Sequence, residues 1–228
     1  MGNSMKQWRS IAVGLLVLCV QSTPADTGDS SPMKRILVLG DSLSQGFGLR
    51  SSQAWPALVT GKLRATGLTN FEITNASQSG GTTAGGLERL PAHLKRKVDI
   101  FIVELGINDA FRGVPIATIG NNLQTIIDQV KERNPNVRVI IAGMQVPNYS
   151  EDNYVSAFAQ IYADLAAKNN AVLIPYLLEG VGGDPSRNQP DHVHPNAAGQ
   201  RILADNVWRV LEPVAREVAT EDSPAHVP

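Results

Sequence analysis

Apolar runs of strand length alternate with longer amphipathic stretches along most of the chain. Ile36-Leu37-Val38-Leu39, Ile100-Phe101-Ile102-Val103 and Val137-Arg138-Val139-Ile140-Ile141 are strong runs. Phe71 to Asn75 is weaker, and Val172-Leu173-Ile174 closes the series. The strong runs are near-continuous rather than alternating, which is the pattern of strands covered on both faces. Between them, helical spacing predicts helices near 53–66, 83–96, 116–133, 153–168 and 196–212. In the third of these, Ile116, Ile119, Leu123, Ile126, Ile127 and Val130 form one apolar stripe, and Asn134-Pro135-Asn136 stops it. Strict β–α alternation predicts a three-layer α/β/α fold around a five-stranded parallel sheet.

In such a sheet, ligands sit beyond the carboxyl ends of the strands, where the strand order reverses. A flavodoxin-like order, 2-1-3-4-5, puts that crevice between the first and third strands. Chemistry is then expected from the loops after Leu39 and Glu104.

Composition narrows the possibilities. The chain has 228 residues, 43% hydrophobic and 18% charged, which excludes a disordered protein. Lys and Arg number 20 against 21 Asp and Glu. That balance gives no basic excess to hold a phosphate backbone, so nucleic acid is not an expected partner. The single cysteine, Cys19, excludes a disulfide framework within the chain.

The ends read differently from the middle. Lys6 and Arg9 precede an apolar stretch from Ile11 to Val20, and Thr23-Pro24-Ala25 offers a small-x-small cleavage site. Residues 1–25 are expected to be an export signal, with a periplasmic or secreted mature protein; a retained anchor is the alternative. The apolar stretch is about half of the ~20 residues a membrane span needs, so no stable span is expected in the mature form. Leu18 stands where a lipobox has a small residue, which disfavours lipidation of Cys19. Residues 26–33 read as a linker, 34–213 as one folded domain and 214–228 as a flexible tail.

Four segments could carry chemistry. Gly40-Asp41-Ser42-Leu43-Ser44 follows the first strand, and Ser79-Gly80-Gly81-Thr82-Thr83 follows the second. Gly106-Ile107-Asn108-Asp109 follows the third, and Asp191-His192-Val193-His194-Pro195-Asn196 precedes the last helix. Each alone is ordinary: Asp-Ser is often an N-cap and Gly-Gly often a turn. Ser42 or Ser44 could be a nucleophile, and His192 or His194 a base. His192 and His194 have metal-ligand spacing with Asp191 beside them, but no further histidine is expected near them, and a catalytic zinc needs three protein ligands. His93 is the only other histidine in the body of the chain, on a predicted helix far from the crevice, and His226 is in the tail. The Gly-x-Ser-x-Gly elbow of the α/β-hydrolases is absent, as are phosphate-cradling and dinucleotide fingerprints.

Taken in order, these segments resemble the SGNH hydrolases, also called the GDSL esterase/lipase family. The resemblance rests on Gly40-Asp41-Ser42-Leu43-Ser44, Asn75-Ala76-Ser77-Gln78-Ser79-Gly80, Gly106-Ile107-Asn108-Asp109 and Asp191 to Asn196, across residues 34–213. Gly143 to Tyr149 and Phe158 to Tyr162 are similar to the bacterial arylesterase and periplasmic thioesterase/lysophospholipase branch. The resemblance implies an acyl-transfer enzyme without cofactor or metal. Ser42 would be nucleophile, His194 base and then acid, and Asp191 the group that orients it. Oxyanion donors would be the N–H groups of Ser42 and Gly80 and the amide of Asn108. Asp41, Ile107, Met144, Pro147 and Val193 are expected against substrate, with Phe111 and Val146 adding to an apolar lining. The implied substrate is a small ester or thioester. An O-acetylated carbohydrate, or a binding module that kept the scaffold without catalysis, are the competing readings.

Overall fold

The molecule is described here from a computed structural model, which covers Met1 and residues 32–146 and 152–221. Residues 2–31, with Cys19 and nearly all of the segment expected to be an export signal and linker, lie outside the described residues, as do Pro147 to Tyr149 and His226.

Five parallel strands form one sheet in the order β2-β1-β3-β4-β5. They are β1 (Lys34–Gly40), β2 (Phe71–Asn75), β3 (Ile100–Glu104), β4 (Arg138–Ala142) and β5 (Val172–Ile174). The three inner strands are nearly all buried, while β2 and β5 at the edges are partly exposed, which is why their apolar pattern is weaker. β1 starts two positions before the apolar run. Lys34 and Arg35 are buried despite their charge. The Arg35 guanidinium donates to Thr74 Oγ1 and to the carbonyls of His93 and Arg96, which compensates its burial.

Helices cover both faces. α2 (Trp55–Ala65) packs against α7 (Ala197–Glu221) on one side. α3 (Thr83–His93), α5 (Ile116–Arg133) and α6 (Asp152–Asn169) pack in that order on the other. The stripe on α5 is buried as its spacing predicts, with Ile119, Leu123, Ile126, Ile127 and Val130 in the core.

Two local expectations need correction. Two short helices, α1 (Ser42–Gln45) and α4 (Ile107–Phe111), occupy segments read as loops. α7 does not end near 212: it passes through Pro213 and runs to Glu221, so the ordered chain extends past the expected boundary of the tail at 214. Pro213 removes one helical hydrogen bond and costs about 3 kcal/mol in a helix interior. Val214, Ala215 and Val218 are buried just beyond it. Each valine contributes roughly 1.5–3 kcal/mol on burial, so packing outweighs the proline.

Candidate active site

The strand order reverses at β1, between β2 and β3. β1 and β3 run in register, with Gly40 beside Glu104. Their carboxyl ends therefore deliver the turn Asp41-Ser42 and the turn Gly106-Ile107-Asn108 to the same place.

Gly40 is required there for space. A Cβ would lie 2.6 Å from Glu104 Oε2 and 2.7 Å from Ser44 Oγ. The chain then turns straight into α1, whose N-cap is Asp41: its Oδ1 accepts from the N–H of Leu43 at 2.9 Å. Ser42 takes the first helical position, where a backbone N–H has no partner inside the helix. Its residue is 8% exposed.

A second loop supplies the partners of Ser42. His194 Nε2 lies 3.0 Å from Ser42 Oγ, and His194 Nδ1 lies 2.7 Å from Asp191 Oδ2. Asp191 Oδ1 accepts from the N–H groups of Val193 at 2.9 Å and His194 at 3.0 Å. The backbone N–H of His194 is the main reason that the Asp191 carboxyl drops to about 2. The loop is braced from both ends. Gln189 donates its N–H to the His194 carbonyl at 2.7 Å and accepts from the His192 N–H at 2.9 Å, and its side chain donates to the carbonyls of Phe47 and Pro195. Asn196 caps α7 by accepting from Ala198 and Gly199. The Phe47 ring lies against the imidazole of His194, with centroids 4.5 Å apart.

Gly80 has φ of +71°, a left-handed conformation that glycine adopts without strain. Asn108 directs its amide to Asp41 Oδ2 at 2.9 Å and to the Gly81 carbonyl at 3.1 Å. Asp109 accepts from both the N–H and the hydroxyl of Thr83, which ties α4 to the start of α3.

Beside Ser42 opens a cleft of about 650 Å³. Ile107, Met144 and Val193 line it, as expected, together with Phe111 and Val146. Tyr176, Leu178, Gly182 and Gly183 also line it, from segments that carry no recognisable motif. Pro147 lies outside the described residues.

Some sequence expectations are redistributed. Asp41 is not a substrate contact: it is fully buried, outside the cleft wall, and its carboxylate organises Leu43 and Asn108. Ser44 is fully buried and donates its hydroxyl to Glu104 Oε2 at 2.7 Å, which leaves Ser42 as the serine facing the imidazole. His192 lines the cleft in a left-handed conformation, but the histidine that meets Ser42 is His194. Phe47, Gln189 and Glu104 were not singled out by sequence, because their partners are far away along the chain.

A serine hydroxyl held by an imidazole, itself held by a carboxylate, can lose its proton on attacking an acyl carbon. Comparison with known proteins agrees with that chemistry. Residues 38–202 match the GDSL-like Lipase/Acylhydrolase family. The chain belongs to this family. It is 40% identical over 200 residues to the esterase TesA of Pseudomonas aeruginosa, covering 87% of this chain and 94% of that one. It is 34% identical over 213 residues to thioesterase 1/protease 1/lysophospholipase L1 of Escherichia coli, covering 93% of this chain and 96% of the relative. The crystal structure of TesA superposes with a TM-score of 0.75 at 39% identity, covering 79% of this chain and 99% of that chain. The GDSL-like acylhydrolase fold of this chain is thus shared with esterases and a thioesterase. No helix among its described residues is long and apolar enough to cross a membrane.

Proposed function

We propose that this chain is an exported serine hydrolase that cleaves carboxylic esters and thioesters through an acyl-enzyme on Ser42. The observation that carries this reading is the hydrogen-bonded chain Ser42–His194–Asp191 beside an apolar cleft. Ser42 Oγ attacks the acyl carbon while His194 Nε2 takes its proton. Asp191 holds the Nδ1–H and stabilises the imidazolium. The tetrahedral oxyanion is received by the N–H groups of Ser42 and Gly80 and by Asn108. The Asn108 N–H facing the Gly81 carbonyl is the longer of its two bonds and the one to be exchanged for the oxyanion. His194 then protonates the departing alcohol or thiol. Water repeats the sequence to release the acid.

Ile107, Met144, Val146 and Leu178 favour an acyl chain over a polar sugar in the cleft. The names of the relatives support esters and thioesters alike. The export reading is supported by Lys6 and Arg9 ahead of the apolar segment, and the mature chain is expected to begin at Asp26.

The test is hydrolysis of p-nitrophenyl esters from acetate to palmitate, and of acyl thioesters, by wild type and by Ser42→Ala. Turnover by wild type and none by the variant is expected. A Ser42→Ala protein with wild-type activity sinks the proposal. N-terminal sequencing of the exported protein checks the cleavage site.

A further inference from the structure

Beneath Ser42 lie two buried carboxyl groups that the mechanism above does not use. Glu104 ends β3 with no exposed surface, and Asp41 beside it is equally buried. Glu104 Oε2 accepts from the Asp41 N–H at 3.1 Å and from Ser44 Oγ at 2.7 Å. Ser44 Oγ accepts in turn from Trp55 Nε1 at 3.1 Å. Glu104 Oε1 is buried, and no donor among the described residues reaches it. The Asp41 carboxyl is different. Oδ1 accepts from Leu43 and Oδ2 from Asn108.

Glu104 reaches the Asp41 backbone through Oε2, so the two acids are neighbours, and both resist ionisation because burial disfavours charge. The charges around them do not support two anions. Arg89 on α3 is a cation that both carboxyls feel, but its hydrogen bonds go to the carbonyls of Gly40 and Ala76 rather than to either carboxylate. Asp109 on α4 adds negative charge, Tyr162 on α6 donates to the Leu105 carbonyl, and His194 lies on the Asp41 side. Two adjacent buried carboxylates share a proton unless a cation is fully theirs. Asp41 already has a donor on each oxygen, whereas Glu104 Oε1 has none. The proton therefore belongs on Glu104, where Oε1 becomes a donor and Asp41 is its acceptor.

We propose that Glu104 acts as a neutral acid whose Oε1–H donates to the Asp41 carboxylate, fixing the single anion that orients both the Ser42 turn and the Asn108 amide. Glu104 is thus a positioning residue for the oxyanion site. It touches no substrate. It acts through Asp41, which holds Leu43 N–H at the start of α1 and Asn108 at the start of α4. The proposal rests on the acyl-transfer reading for its effect on rate, but not for the proton itself.

The experiment compares Glu104→Gln and Glu104→Ala with wild type and with Ser42→Ala. Glutamine reproduces the neutral group, since its oxygen accepts from Asp41 N–H and Ser44 while its N–H donates to the Asp41 carboxylate. Glu104→Gln is expected to keep kcat within about threefold of wild type. Glu104→Ala leaves the Asp41 anion short of a donor, and kcat is expected to fall on the order of 10- to 100-fold with KM little changed. Infrared difference spectra at neutral pH should show the carbonyl stretch of a protonated carboxylic acid in wild type and lose it in Glu104→Gln. Glutamine as damaging as alanine, or the absence of that band from wild type, overturns the proposal. If Glu104→Ala does not fold, the glutamine variant and the spectra decide alone. Failure of the acyl-transfer reading is separate: it appears as a wild type that hydrolyses no ester or a Ser42→Ala that does, while the infrared band still reports the proton.

Discussion

The ring of Phe47 lies 4.5 Å from the imidazole of His194, tilted by 39°. The two residues are joined a second way, because the Gln189 side chain donates to the Phe47 carbonyl while its backbone N–H donates to the His194 carbonyl. The turn that carries Ser42 and the loop that carries His194 are thereby clamped together outside the Ser42–His194 hydrogen bond itself. Phe47 is 47% exposed, so it contributes little to global stability.

Phe47→Ala should therefore separate catalysis from folding. An aromatic contact of this kind is worth about 0.5–1.5 kcal/mol. If it is spent on holding His194, kcat falls roughly two- to tenfold. The melting temperature should move little, as for most surface substitutions. Steady-state kinetics with a thermal melt check this, and an unchanged kcat removes Phe47 from the site.

Stability should depend on pH in two opposite ways. Asp191 is held down to about 2 from 3.8, chiefly by the His194 N–H. Its contribution is complete above pH 3.8 and is lost as pH falls towards 2. Asp41 is pushed up from 3.8 to about 6 by burial. The unfolded chain ionises it first, so rising pH removes stability across that same interval of 3.8 to about 6. Glu104 acts in the Asp41 direction. Thermal melts from pH 2 to 7 should show the acid limb flattened in Asp191→Asn and the loss between pH 4 and 6 reduced in Asp41→Asn. Parallel profiles for wild type and both variants would contradict these assignments.

Long-range pairing explains what the sequence reveals and what it hides. The inner strands are legible because burial on both faces erases polar alternation, and the α5 stripe is legible because a helix of 18 residues repeats its period. α1 and α4 span four and five residues, too short to show any period. The Ser42, Asn108 and His194 segments stand out through their order along the chain. Glu104 looks like the end of an ordinary strand, because its partner Asp41 is 63 positions away. Gln189 is 142 positions from the Phe47 carbonyl it bonds. Asp41 is hard to read for a related reason: a polar residue beside a nucleophile suggests substrate contact, and only its burial shows that it faces inward.

The end of α7 gives a direct test of packing against local propensity. Val218 is 3% exposed, although the pattern beyond Pro213 reads as tail. Val218→Ala should cost about 1.5–2 kcal/mol, at roughly 0.8 kcal/mol for each buried carbon removed. For a chain of this size, that lowers the melting temperature by about 3–8 °C. A tail detached from the core would leave the melt unchanged. Activity should be retained at temperatures where the variant is folded, because Val218 lies outside the cleft wall.

The cleft makes a prediction about substrate length. Leu178, half-buried on the turn after β5, is part of its wall, and neither Ser42 nor His194 depends on it for a hydrogen bond. Leu178→Trp should shorten the space without disturbing Ser42–His194. Acetate and butyrate esters should turn over within about threefold of wild type. Each methylene kept in water forfeits ~0.8 kcal/mol, about fourfold in kcat/KM, so two excluded methylenes cost roughly 15-fold. The optimum of an ester series then moves to shorter acyl chains. If the optimum stays and the leaving group becomes the discriminated part instead, the cleft holds the alcohol or thiol. The acyl chain then lies elsewhere.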